Sequence, residues 1–449
     1  MPAPNPALTN QTVELLQQLI RNECVNDGTV ASGHERRTSD TLKTYLQGTG
    51  LDLEIYEPDN APGRASLVAR IEGSDPKAPT LCLMGHTDVV PVTPETWSRD
   101  PFGGELVNGE VWGRGAVDML NLTASQAVAF KALAKKGWKP RGTLVYLACA
   151  DEEAGGLHGA GHVVKKHWDA LRANYLLTEN GGTISEHGGE THVTVHVGEK
   201  GVAWRRLKVM GTPGHGSRPY KADNALVKAA HIIQRLADYR PSPYVDELWR
   251  GFVGSLDLEP GVKQALMDPV SVDDAIDRLP TAMAAGLWSN THTTFSPNMC
   301  SAGVKTNVIP NIATLEVDIR TIPGDTEDEV RRHLEKAIGP YIDDVEIEKL
   351  FSKDASASPA SGPLWDVLGK VVGTHYPGAK LAPRLIVGFT DAPYFREKGA
   401  TAYGFGLFSR SLTADAMAGR FHGNDERIDV ESLALTTQAW IDTCEQFLG

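Results

Sequence analysis

The sequence predicts an α/β domain interrupted by a second, ferredoxin-like α+β unit. Over residues 1–198, short apolar runs bounded by turn residues alternate with helical spacing, as strands and helices laid down in turn should. From residue 199 the order changes to β-α-β-β-α-β, which fits a ferredoxin-like unit. The chain's 449 residues exceed what one ordinary core organises, so two domains are expected.

The elements follow in order. Residues 10–21 place Val13, Leu15, Leu16, Leu19 and Ile20 at helical spacing, and 37–48 reads as a second helix. Leu67–Ile71, Leu81–Met84, Leu144–Ala148 and Tyr175–Leu177 are brief, apolar and bounded by turn residues, as buried strands are. Leu122–Lys136, rich in Ala and Leu and ending in Lys, is a helix between the second and third of them. In the second unit Val202–Met210, Thr293–Met299, Thr314–Arg320 and Val345–Leu350 read as strands, and Ala222–Ala237 and Asp325–Ile338 as helices. Residues 240–290 are an insertion with no assigned place. Ala355–Pro363 reads as a linker. A helix near Leu364–Tyr376, apolar segments around Ile386 and Tyr403–Phe405, and a last helix over Ser432–Phe447 complete the first domain. The expected division is therefore 1–198 and 353–449 for one domain, with 199–352 inserted.

Composition narrows the function classes. Hydrophobic residues are 41% and charged residues 22%, ordinary for a globular enzyme. A net charge of -13 repels phosphate backbones, so nucleic acid is not an expected partner. The N-terminal stretch lacks the basic start and apolar core of a secretory signal, and no run of about 18 apolar residues offers a membrane span. Cys24, Cys82, Cys149, Cys300 and Cys444 are scattered, with no CxxC, which argues against a disulfide framework or a thiolate metal site. Cys82 and Cys149 sit in apolar runs and read as core residues. A cytoplasmic protein with free thiols is the expectation.

Several motifs carrying acids or histidines fall at or beyond strand ends, where open α/β sheets bind ligands. His86 leaves a strand and is followed by Asp88, which can take the second ring N–H of a metal-binding imidazole. Alone, that pair equally describes a capped turn. Asp118 follows Gly113 and Gly115 just before a helix, where a carboxylate can also be a plain N-cap. Asp151, Glu152 and Glu153 are consecutive carboxylates after a buried strand. A cation would hold one, and a neighbour could serve as general base. Glu179 and His422 are each ambiguous alone. Together the set offers two His, several carboxylates and no Cys, which suits zinc, cobalt or manganese. His158, His162, His192 and His196 read as structural or surface groups. HExxH, GxSxG, GxGxxG and Walker A patterns are absent.

The motifs GHTDVVP, WSRDPFGGELVNGEVWGRGAVDM, DEEAGG, TENGG, GTPGHGSRP and HGNDERI resemble the zinc metallopeptidase family of aminoacylase, carboxypeptidase G and succinyl-diaminopimelate desuccinylase, from about residue 10 to the end. The resemblance implies a zinc-peptidase-like catalytic domain with an inserted lid that often dimerises. It implies two Zn2+, replaceable by Co2+ or Mn2+, on His86, Asp118, Glu153, Glu179 and His422, with Asp118 bridging and followed by a cis peptide bond. Glu152 would be the general base, Asp88 would orient His86, and His215 would stabilise the oxyanion. Asn307 and Arg320 would hold substrate, Arg320 through its carboxylate. Glu at 179 points to an N-acyl-L-amino acid or a short peptide with a free carboxylate. A dipeptidase, or a metal-free homologue acting as a binding module, is the alternative. Leu120 stands where the family usually has Lys.

Overall fold

The computed structural model describes residues 5–187 and 189–449. Among them, the larger sheet has ten strands. Its main path runs Leu53–Tyr56, Ser66–Ile71, Thr143–Cys149, Thr80–His86, Tyr175–Thr178, Thr401–Gly404, Glu190–Glu199 and Ser356–Ala357. Lys380–Ile386 and Ile184–His187 pair off this path with Glu190–Glu199. The middle of the sheet is parallel: Thr80–His86 lies between Thr143–Cys149 and Tyr175–Thr178, and Thr401–Gly404 follows. These strands are buried on both faces, which is why they read as unbroken apolar runs.

One face is covered by Pro6–Arg21, Leu120–Lys135, Pro363–His375 and Val430–Leu448, packed in one core with Leu16, Phe130, Tyr146 and Trp440. The first of these helices starts ahead of its periodic stretch because Asn5 accepts from Ala7 N and proline occupies the first turn. Gly85 brings sheet and helix together: a Cβ there would lie 2.4 Å from Thr123 Oγ1, the hydroxyl that donates to the His86 carbonyl at 2.7 Å.

The second sheet has the order Thr294–Ala302, Ile312–Thr321, Gly201–Met210, Val345–Lys353, all antiparallel. Helices Ala225–Asp238 and Glu327–Ile338 cover one side through Ile232, Leu236, Val330 and Leu334. This is the ferredoxin-like order. The insertion folds as short helices Glu247–Gly254, Pro260–Leu266, Val272–Asp277 and Thr281–Thr291 around Trp249, Val253, Leu266 and Ile276. The stretch read as a linker contributes a strand instead. Ser356–Ala357 pairs with Glu199 and Gly198, and Ser356 donates to Glu199 at 2.7 Å. Cys24, Cys82, Cys149 and Cys444 are buried free thiols, and Cys300 is exposed. No helix among the described residues is long and apolar enough to cross a membrane.

Candidate metal centre

Three neighbouring parallel strands end at one place. Thr80–His86 ends in His86, Thr143–Cys149 runs on to Glu152 and Glu153, and Tyr175–Thr178 runs on to Glu179. This is the carboxyl edge of the sheet. Asp118 and His422 reach it from above through a small sheet, because Glu110–Trp112 precedes Asp118, Arg427–Asp429 follows His422, and the two strands pair. Far-apart sequence positions are thus joined by one strand pairing.

The contacts are short. His86 Nε2 lies 3.1 Å from Asp118 Oδ1 and 3.9 Å from Glu179 Oε2. His422 Nε2 lies 3.0 Å from Asp118 Oδ2 and 3.4 Å from Glu153 Oε2. Two three-donor groups, His86–Asp118–Glu179 and Asp118–Glu153–His422, therefore share Asp118 through its two different oxygens. The Asp118–Met119 peptide bond is cis. Asp118 is not a helix cap: Leu120–Lys135 starts without a side-chain cap, and the Asp118 carboxylate is taken by the imidazoles.

The electrostatics call for cations. Burial, then the charge of Glu179, pushes the Glu152 carboxyl well above the ordinary range. Burial likewise raises Glu179, and with the Asp118 charge pushes Glu153 up to about 7. Burial opposes a charged His86, but the hydrogen bond to Asp118 and the charges of Glu179 and Glu152 prevail and raise it. Hydrogen bonds to Asp118 and Glu153 raise His422 to about 10. Burial also works against the Asp118 carboxylate, yet the hydrogen bonds from His422 and His86 hold it at about 2. Glu153 Oε1 is buried without a hydrogen-bond partner. Packed acids holding protons, with an orphaned carboxylate oxygen and a thiolate-free donor set, fit borderline divalent ions.

Asp88 departs from its expected contact. His86 Nδ1 is 3.0 Å from the Asp88 main-chain carbonyl and 3.6 Å from its carboxylate. The carboxylate instead accepts from Glu152 N at 3.3 Å, Glu153 N at 3.1 Å and Asn26 Nδ2 at 2.8 Å. It braces the loop that carries both glutamates. Asp151 turns away to Arg64, 3.6 Å off, which also pairs with Glu35 at 2.5 Å. Asp151, Asn180 and His422 all have positive φ (71°, 67° and 54°), the left-handed region that Asp, Asn and His enter more readily than other non-glycine residues.

The residues expected from the second unit are not joined to this cluster by any hydrogen bond or ion pair among the described residues. His215 bonds Ser217 at 2.8 Å in its own exposed loop. The Asn307 carbonyl accepts from Gly216 N at 2.8 Å, and His215 pairs with Val308, so these two expected residues are neighbours. Arg320 is held by Asp318 at 2.8 and 3.3 Å. His158, His162, His192 and His196 belong to no three-donor group among the described residues. Glu426 went unassigned in the sequence. Its buried carboxylate accepts from Arg114 Nη1 (2.8 Å), Gly115 N (3.0 Å), Val117 N (2.6 Å) and Asp118 N (2.9 Å).

An α/β sheet with imidazoles and carboxylates converging at its carboxyl edge defines a hydrolase of the metallopeptidase kind. The model of peptidase family M20/M25/M40 matches residues 82–446, and the chain belongs to that family. It is 28% identical over 392 residues to the N-fatty-acyl-amino acid synthase/hydrolase PM20D1 of Xenopus tropicalis, covering 84% of this chain and 74% of that one. It is 27% identical over 385 residues to aminoacylase-1 of Sus scrofa, covering 84% and 82%. Its fold is similar to that of the M20 family metallo-carboxypeptidase Sso-CP2 from Sulfolobus solfataricus, with TM-score 0.72, 18% identity, and 97% and 99% of the two chains covered.

Proposed function

We propose that this chain hydrolyses the amide bond of an N-acyl-L-amino acid, or of a short peptide with a free carboxylate, with two zinc ions on His86, Asp118, Glu153, Glu179 and His422. The observation that carries this is Glu152. Its carboxylate oxygen lies 4.0 Å from His86 Nε2, yet neither Asp118-sharing donor group needs it. Glu152 also falls in a third three-donor group, with His86 and Glu153, but a buried acid beside the Asp118-sharing pair of groups and outside it suits a general base. Ions bound there would acidify a water and polarise the scissile carbonyl. Glu152 would take a proton from a water as its oxygen attacks the carbonyl carbon, and would return it to the amine nitrogen as the C–N bond breaks. Asp88 fixes the Glu152 backbone, so the acid stays aimed while it gains and loses the proton.

His215 and Asn307 would approach the substrate from their paired loops, His215 facing the developing oxyanion. Arg320 would exchange Asp318 for the substrate's carboxylate. The acyl-amino-acid reading draws on the names of the relatives and on Glu rather than Asp at 179. A homodimer through the lid is part of the same reading, supported by the exposed apolar side chains Trp204, Met299 and Phe351 on its sheet.

Glu152→Gln should retain bound metal and lose at least about 100-fold in turnover of N-acetyl-methionine. Metal-replete Glu152→Gln turning over near the wild-type rate would remove Glu152 from the chemistry. A wild-type protein that binds metal but leaves acyl-amino acids and dipeptides intact would overturn the substrate reading.

A further inference from the structure

Among the described residues Arg384 has no counter-ion. It lies on Lys380–Ile386, in register with His196 of the parallel strand Glu190–Glu199. Burial lowers its guanidinium from the ordinary value, and no neighbouring charge offsets this. No hydrogen bond or ion pair reaches it among the described residues. Its contact is the Phe252 ring, 5.1 Å away, from the insertion helix Glu247–Gly254. His196 cannot serve as a partner. Burial, then the Arg384 charge, pushes its imidazole down to about 3, and its Nδ1 is itself buried without a partner. The residue is half-buried, so its guanidinium can meet an anion that enters beside it.

Beside Arg384 lies a cavity of about 220 Å³. Phe252 and Leu256 wall it from the insertion, Ile184 and Ala382 from the large sheet, and Ser185 and Thr194 add hydroxyls. An apolar chamber with one cation and a few hydroxyls has the chemistry to hold an anion with an apolar body. It is smaller than the roughly 300–1,000 Å³ of pockets for drug-sized ligands, so its ligand must be small. None of the five proposed metal ligands lines it, although Thr183 and Ala414, in the segments that carry Glu179 and His422, do.

We propose that this cavity is a second binding site, for a small aliphatic carboxylate, with Arg384 pairing the carboxylate and Phe252 and Leu256 packing its carbon chain. The insertion thereby gains a role: it closes a ligand chamber against the large sheet.

The test uses the full, metal-loaded chain with pentanoate and its uncharged analogue pentanamide. Pentanoate should raise the unfolding temperature saturably and pentanamide should not. The pentanoate shift should persist after chelation of the metals, because the site does not use them. Arg384→Met should weaken pentanoate binding by about 10- to 100-fold, the range for losing a charge-assisted hydrogen bond. Arg384→Lys should restore part of it. Equal shifts with the two probes, loss of the pentanoate shift on chelation, or wild-type affinity in Arg384→Met would each overturn the proposal. The first two outcomes need no variant, so a misfolded Arg384→Met does not block the test. Loss on chelation alone would leave the proposed amide hydrolysis untouched.

Discussion

Asp118 can face two imidazoles at once because Glu426 holds the backbone behind it. Three main-chain N–H groups and Arg114 converge on that carboxylate, so Glu426 fixes the 114–118 turn from a position just beyond His422. Glu426→Gln should therefore weaken metal affinity or activity by about 10- to 100-fold, the usual cost of losing a group that orients a ligand. A competitive titration with a chelating dye reads this, and unchanged affinity would make Glu426 a folding residue only. Protons give a second expectation. With His422 raised to about 10 and Glu153 to about 7, the metal-free cluster holds protons at neutral pH. Metal must displace them, so affinity should rise with pH up to about 10, most steeply below about 7. Calorimetric titration in buffers of different ionisation enthalpy should show proton release, and proton-neutral binding would contradict this. At this scale the DEE motif was readable, because consecutive acids after a buried strand are hard to explain otherwise. Glu426, Arg64 and Asn26 were not, since each acts on a partner far along the chain and its neighbours carry no signal. Asp88 was half readable: its proximity to His86 follows from the spacing, but which oxygen faces the ring depends on the turn.

Two chain crossings join the sheets, at Lys200 and near Asp354, and Glu199 ties them together. Its carboxylate takes Ser356 and Thr390 hydroxyls at 2.7 and 2.9 Å and pairs with Arg396. Lys200 reaches the other way, donating to the Ser289 and His292 carbonyls at 2.8 and 2.7 Å, at the end of the insertion's last helix. Removing one partner of a buried ion pair leaves the other uncompensated, so Arg396→Met should cost about 3–5 kcal/mol of stability. Denaturant unfolding measures this, and a cost below about 1 kcal/mol would show that the pair does not hold the crossing. Helices and buried strands were legible here, because period and punctuation are local. The Ser356–Ala357 strand was not: its small polar sequence reads as linker, and the pairing comes from Glu199. The insertion was opaque because its helices are short and share a small core of their own.

The order of strands in the large sheet, and hence the meeting of His86, Glu153 and Glu179, is a property of the whole molecule that no local pattern encodes. The pairing of Glu110–Trp112 with Arg427–Asp429, which brings Asp118 to His422, was equally out of reach. The resemblance supplied that convergence as an expectation, and the candidate donor atoms lie within 4.8 Å of one another in each group. The proposed homodimer also belongs to this scale: light scattering should give twice the 48.5 kDa chain mass, and Trp204→Glu should return it to the monomer. A monomer in the wild type would remove the lid interface. Counting metal against turnover is the most direct measurement of all. Elemental analysis of the purified chain, paired with an acyl-amino-acid release assay before and after chelation, should find two divalent ions per chain, loss of hydrolysis on their removal, and recovery on adding zinc. A chain that carries only trace metal and hydrolyses its substrate undiminished under exhaustive chelation would contradict the shared-Asp118 centre.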